Sequence, residues 1–78
     1  MEYIAIFFTH SGAIKYHRYL KSVGIENEMM PVPRRLSSNC GIGVKLFKCN
    51  SIDNIITEDI EKIYKVEDKQ YILIYNCD

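Results

Sequence analysis

The residues best suited to chemistry lie between positions 31 and 44, in PVPRRLSSNCGIGV. Here Arg34 and Arg35 precede Cys40, and Cys40 stands directly before Gly41. A thiol attacks only as its thiolate, and its unperturbed pKa is about 8.5. Guanidinium groups a few residues away favour the anion, so the expected direction of the Cys40 pKa is downward. Gly41 carries no side chain and lets a second molecule approach the sulfur closely. The pattern points to a thiolate that attacks, or that carries a transferred atom. The competing reading is structural: a free cysteine is most often a small core residue, and two arginines can form a solvated pair. The polar neighbours Ser37, Ser38 and Asn39 favour the functional reading.

A second group is Thr9-His10-Ser11. Thr9 or Ser11 can cap a helix that follows, because a hydroxyl accepts from the unpaired N–H groups of a first turn. A helix N-terminus carries roughly half a positive charge and would favour a nearby thiolate. His10 is a candidate base for Cys40, and equally a solvated or capping residue. Arg34 and Arg35 would bind an anion, such as a carboxylate of a substrate or partner.

The remaining cysteines, Cys49 and Cys77, read as incidental, although a terminal thiol could resolve a disulfide. Three widely spaced cysteines form neither a CxxC pair nor the even, dense set of a disulfide scaffold. Neither histidine is spaced near a cysteine, so no metal site is expected. No phosphate-loop, dinucleotide-binding, hydrolase-elbow or zinc-protease motif is present, and no cofactor is implied.

Composition sets the frame. The 78 residues are expected to form one domain, 1–78. Ten basic and ten acidic residues balance to a net charge of zero. That argues against coating nucleic acid or an anionic membrane, and it removes charge repulsion against self-association. The chain opens on MEYIAIFFTH, without a basic n-region or a small-residue cleavage site, and the apolar run Tyr3–Phe8 is too short to span a bilayer. The expected location is the cytoplasm.

The elements that would position these residues follow from periodicity. Tyr3–Phe8 is a continuous apolar run, as in a central strand covered on both faces. Ala13, Tyr16, His17, Leu20 and Val23 recur at helical spacing and predict a helix over about 12–23, with Gly24 at its C-terminal cap. Ile25–Val32 reads as a strand that Pro31 and Pro33 either confine to an edge or end. Ile42, Val44 and Leu46 alternate as a strand. Ile52, Ile55, Ile56, Ile60 and Ile63 fit a second amphipathic helix, 67–70 a turn, and Tyr71–Tyr75 a last strand.

The order β-α-β-β-α-β predicts an α/β (α+β sandwich) fold: a ferredoxin-like antiparallel sheet with both helices on one face. Its other face would be solvated or paired with a partner. In that topology the turn after the first strand and the loop before the third lie at one end of the sheet, so Thr9 and His10 would face Cys40 and Gly41. The last strand would run the other way and leave Cys77 at the opposite end.

These segments resemble the small domain-of-unknown-function family of selenium/sulfur carrier-like proteins. The resemblance is carried by Phe7-Phe8-Thr9-His10, by Pro31-Val32-Pro33-Arg34 and by Ser37-Ser38-Asn39-Cys40-Gly41. It extends over nearly the whole chain and is most specific at 31–41. It implies Cys40 as a carrier cysteine holding sulfur or selenium as a persulfide or selenosulfide, with Arg34 helping to hold the anionic form. It also implies a sulfurtransferase-like or selenium-handling protein partner, and a carrier or accessory role rather than a free-standing enzyme. The rival reading is a non-catalytic interaction or regulatory module that dimerises through the open sheet face and keeps Cys40 as a structural residue.

Overall fold

The computed structural model describes residues 2–33, 35–36, 41–47 and 55–77. Among the described residues five strands form one antiparallel sheet, and one helix packs against it. β1 is Glu2–Phe7, α1 His10–Ser22, β2 Asn27–Pro31, β3 Ile42–Leu46, β4 Ile60–Glu67 and β5 Gln70–Asn76. The sheet order is β2-β3-β1-β4-β5. β1 is apolar on both sides and sits at the centre, paired with β3 and β4.

The helix ends are built from local chemistry. Thr9 has extended backbone, and its hydroxyl accepts from the Gly12 N–H at 3.0 Å, so Thr9 is the N-cap. At the other end Gly24 takes a φ of +78°, Ile25 N–H donates to Leu20 O, and Gly24 N–H donates to Lys21 O. These two bonds form a Schellman motif, which needs a residue that tolerates the left-handed region.

The helix buries Gly12, Ala13, Tyr16 and Leu20. They meet Tyr3, Ala5 and Phe7 of β1, Val44 and Leu46 of β3, and Ile60 and Ile63 of β4. The Phe7 and Tyr16 rings lie 5.1 Å apart, and the Tyr16 hydroxyl donates to Ile55 O at 2.8 Å inside this core. Val23, expected on the same stripe, is exposed because the helix has already ended.

The second amphipathic helix expected over Ile52–Ile63 is not what the chain forms. Residues 52–54 lie outside the described residues, 55–59 are not helical, and residues from Ile60 onward are β4. The misleading signal has a clear origin. Lys62 pairs with Ile6, yet Ile60 pairs with Phe7, so Glu61 is an extra residue in β4. The strand period of two plus one bulged residue equals three, and Ile60 and Ile63 therefore both point to the helix side. That spacing imitates one helical turn. β-branched residues favour the strand.

The expected turn over 67–70 joins two strands instead of a helix and a strand. Asp68 and Lys69 both have positive φ, 50° and 64°, as in a two-residue primed turn. The added strand reverses the direction of the last one. β5 therefore runs parallel in direction to β1, and Cys77 ends level with Glu61, to whose carbonyl its N–H donates at 2.9 Å. That is the end of the sheet where β1 finishes and β3 begins, not the opposite end as expected.

The face away from α1 is not bare. Ile4 and Ile6 are buried there beneath Leu36, with Met30, Val32, Tyr64, Val66 and Tyr71 packed around them. After β2 the chain passes over this face rather than standing clear of the sheet. Among the described residues no helix is long and apolar enough to cross a membrane.

Candidate functional site

Two antiparallel neighbours define one end of the sheet. Ile6 of β1 pairs with Gly43 of β3, so the end of β1 lies beside the start of β3. Gly41 immediately precedes β3, and Thr9 and His10 open α1 one residue after Phe8. The structure thus brings Gly41, Thr9 and His10 to the same end, and all three are exposed. Gly41 holds a φ of +77°, a conformation that side chains rarely adopt, and its carbonyl accepts from the Val32 N–H at 2.9 Å. That bond ties the last turn of β2 to the first of β3 and closes the loop at its base. Cys40, Arg34 and Cys49 lie outside the described residues.

Arg35 goes elsewhere. It lines a groove of about 470 Å³ with Leu36, Tyr64, Gln70 and Tyr71 on the face opposite the helix. The cause is Leu36, whose burial over Ile4 and Ile6 turns the neighbouring arginine out over that face. Among the described residues Arg35 forms no ion pair. Its guanidinium thus stands on the face away from the helix, not beside the helix N-terminus.

Asp59 was not singled out by sequence and belongs to this end. A Cβ on Gly12 would come within 3.1 Å of the Asp59 Cβ and 3.2 Å of the Thr9 hydroxyl oxygen. The first helical turn has no acidic residue of its own, and Asp59 supplies the negative charge there, 3.6 Å from Lys15. A glycine in a first turn was the available signal, since it marks a close approach. With Tyr16, Tyr19 and Thr57, Asp59 also lines a small pocket of about 190 Å³.

Cys77 is exposed at the same end of the sheet as Gly41. β3 and β5 are three strand spacings apart, or about 14 Å at the usual separation. A disulfide needs Cα atoms within about 7 Å. Cys77 therefore shares the end with Gly41 but sits across the sheet from it. The Tyr75 phenol is raised above its ordinary value, chiefly by its hydrogen bond with Cys77, then by burial and by the thiol's charge. His17, mid-helix and half-buried, pairs through Nδ1 with the Asn27 side-chain oxygen and takes no part in this end of the molecule. Among the described residues no three His, Cys, Asp or Glu side chains group to hold a metal ion.

No curated protein and no solved structure matches the chain. One family model does, over residues 2–75, which takes in the helix, every strand but the last residue of β5, and the whole 31–41 segment. The chain belongs to the family described as "Putative Se/S carrier protein-like".

Proposed function

We propose that the protein carries sulfur or selenium on Cys40. The thiolate attacks the outer sulfur of a donor persulfide. A new S–S bond forms at Cys40 as the donor S–S bond breaks, and the donor leaves as a thiolate. The exchange needs no oxidant or reductant, because the departing donor sulfur keeps the electron pair of the broken S–S bond and the Cys40 thiolate supplies the pair of the new one. With a donor selenosulfide the same exchange loads selenium. An acceptor thiolate then repeats the step in the outward direction. The partner is a sulfurtransferase-like or selenium-handling protein, and the chain acts with it as a carrier rather than as an enzyme with its own substrate pocket.

The observation that carries this reading is the family match over residues 2–75, with Cys40 inside it. Local geometry supports it. Gly41 and the N-terminus of α1 share one end of the sheet, and Gly41 adopts a backbone suited to glycine. Bulges at Glu61 and Ile74 fall toward the same end, and bulges recur where a sheet bends next to a working site.

The test is persulfide loading followed by mass spectrometry of the intact protein. Wild type, Cys49→Ser and Cys77→Ser should each gain one sulfur, while Cys40→Ser should gain none there. Cys40 should also alkylate with an apparent pKa well below about 8.5. Equal loading of Cys40→Ser would sink the reading.

A further inference from the structure

The groove beside Leu36 takes no part in the carrier reading. It holds about 470 Å³, within the roughly 300–1,000 Å³ of small-molecule sites. Its lining comes from three parts of the chain: Arg35 and Leu36 from the connection after β2, Tyr64 from β4, and Gln70 and Tyr71 from β5. Leu36 is buried on Ile4 and Ile6, and both tyrosines pack against that cluster. Val66 pairs with Tyr71 and Tyr64 with Leu73, so the two tyrosines are diagonal neighbours on one face. The shallow core thus fixes the apolar lining before anything binds.

The lining also says what fits. A leucine and two phenol rings favour a flat apolar body. Among the described residues that line the groove there is one cation, Arg35, and no carboxylate. The charge therefore favours an anion, and one guanidinium balances one negative charge. Its planar fork matches a carboxylate through two parallel hydrogen bonds. A phosphate carries close to two charges and would bring the second, unpaired, against the rings. Gln70 and the two phenols add neutral donors around the same space. Among the described residues none of these four polar side chains is committed to a hydrogen bond or an ion pair.

We infer that this groove binds a small monocarboxylate with a flat apolar body. The carboxylate sits on the Arg35 guanidinium, and the body lies over Leu36 against Tyr64 and Tyr71. None of the five lining residues takes part in the proposed transfer step, so the carrier reading and this one fail separately.

The probe is phenylacetate. Phenylacetamide is its uncharged counterpart, and inorganic phosphate is an anion without the apolar body. Each is titrated into the isotope-labelled full chain, with reductant present, and followed by two-dimensional amide NMR. Phenylacetate should shift the signals of Leu36, Tyr64 and Tyr71 with a dissociation constant of about 1 mM. Phenylacetamide should bind at least about tenfold more weakly, because the charge-assisted pair is lost. Phosphate should leave these signals in place. Arg35→Gln, at an exposed position, should keep the folded spectrum and bring the acid and the amide to parity. Lys62→Gln removes a cation from the same face outside the groove, opposite Ile6, and should change neither affinity. Signals that stay in place up to about 20 mM phenylacetate, equal binding of acid and amide, or equal shifts with phosphate would each overturn the inference. So would a preference for the acid that survives Arg35→Gln or is lost in Lys62→Gln.

Discussion

The two faces of the sheet are built to different depths. On one, α1 presses Ala13, Tyr16 and Leu20 onto Phe7, Val44 and Ile63. On the other, Ile4 and Ile6 lie, among the described residues, under one buried side chain, Leu36, with half-buried neighbours around it. The deep face owes its cover to a regular element held by two caps. Among the described residues the shallow face owes its cover to Leu36, which lies in the connection between β2 and β3. A regular element does the packing on the helix side, whereas on the other side a side chain of a connection does it.

That contrast can be broken at its strongest point first. Phe7→Ala on the deep face should destabilise the protein by about 3–5 kcal/mol. A domain of this size has roughly 4–12 kcal/mol in all, so the variant should be largely unfolded in urea far below the wild-type midpoint. Leu36→Ala on the shallow face should lose less, about 2 kcal/mol, because Leu36 keeps 9% of its surface and the groove beside it can relax. Equal losses by urea titration would erase the distinction between the faces.

The smallest effect separates the two tyrosines that flank β5. Tyr75, on the helix side, has its phenol raised by Cys77. Cys77→Ala should return it toward 10.0 and leave Tyr71 where it was, read residue by residue from the ring carbon shifts in NMR. A group raised in the folded state contributes stability that is fully present below its unfolded value. That contribution is lost as pH rises through the folded value. The Tyr75 contribution is therefore present at neutrality and is lost only in alkali above 10.0, where Cys77→Ala should show the smaller further loss of stability. Movement of Tyr71 instead would mean that the thiol faces the other side.

Much of the fold could be read from residues. β1 announces itself by an unbroken apolar run, and α1 by its stripe and by Thr9 and Gly24 at its ends. The pairing of β1 with β3, and with it the placing of Gly41 at the same end of the sheet as Thr9, follows from reading the order β-α-β-β as a split βαβ unit. The second half was harder for a physical reason. Ile60 and Ile63 are three apart because Glu61 bulges, and no propensity marks a bulge before the partner strand is known. One misassigned element then reversed the last strand and sent Cys77 to the wrong end. Arg35 illustrates a different limit. Its charge is visible in the sequence, but its direction depends on Leu36 finding Ile4 and Ile6 across the chain.

The bulges at Glu61 and Ile74 have a consequence for comparing this chain with any other. A strand read as a strict alternation keeps its phase only between bulges; each one advances the count by a residue and exchanges inside for outside. Two relatives aligned by apolar pattern alone would drift out of step at Glu61 and again at Ile74. A chain without Glu61 would set Ile60, Lys62 and Ile63 opposite Phe7, Ile6 and Ala5 in plain alternation, with Ile60 and Ile63 still on the helix side. At these two positions a change in the number of residues is absorbed that elsewhere in a strand would exchange its faces.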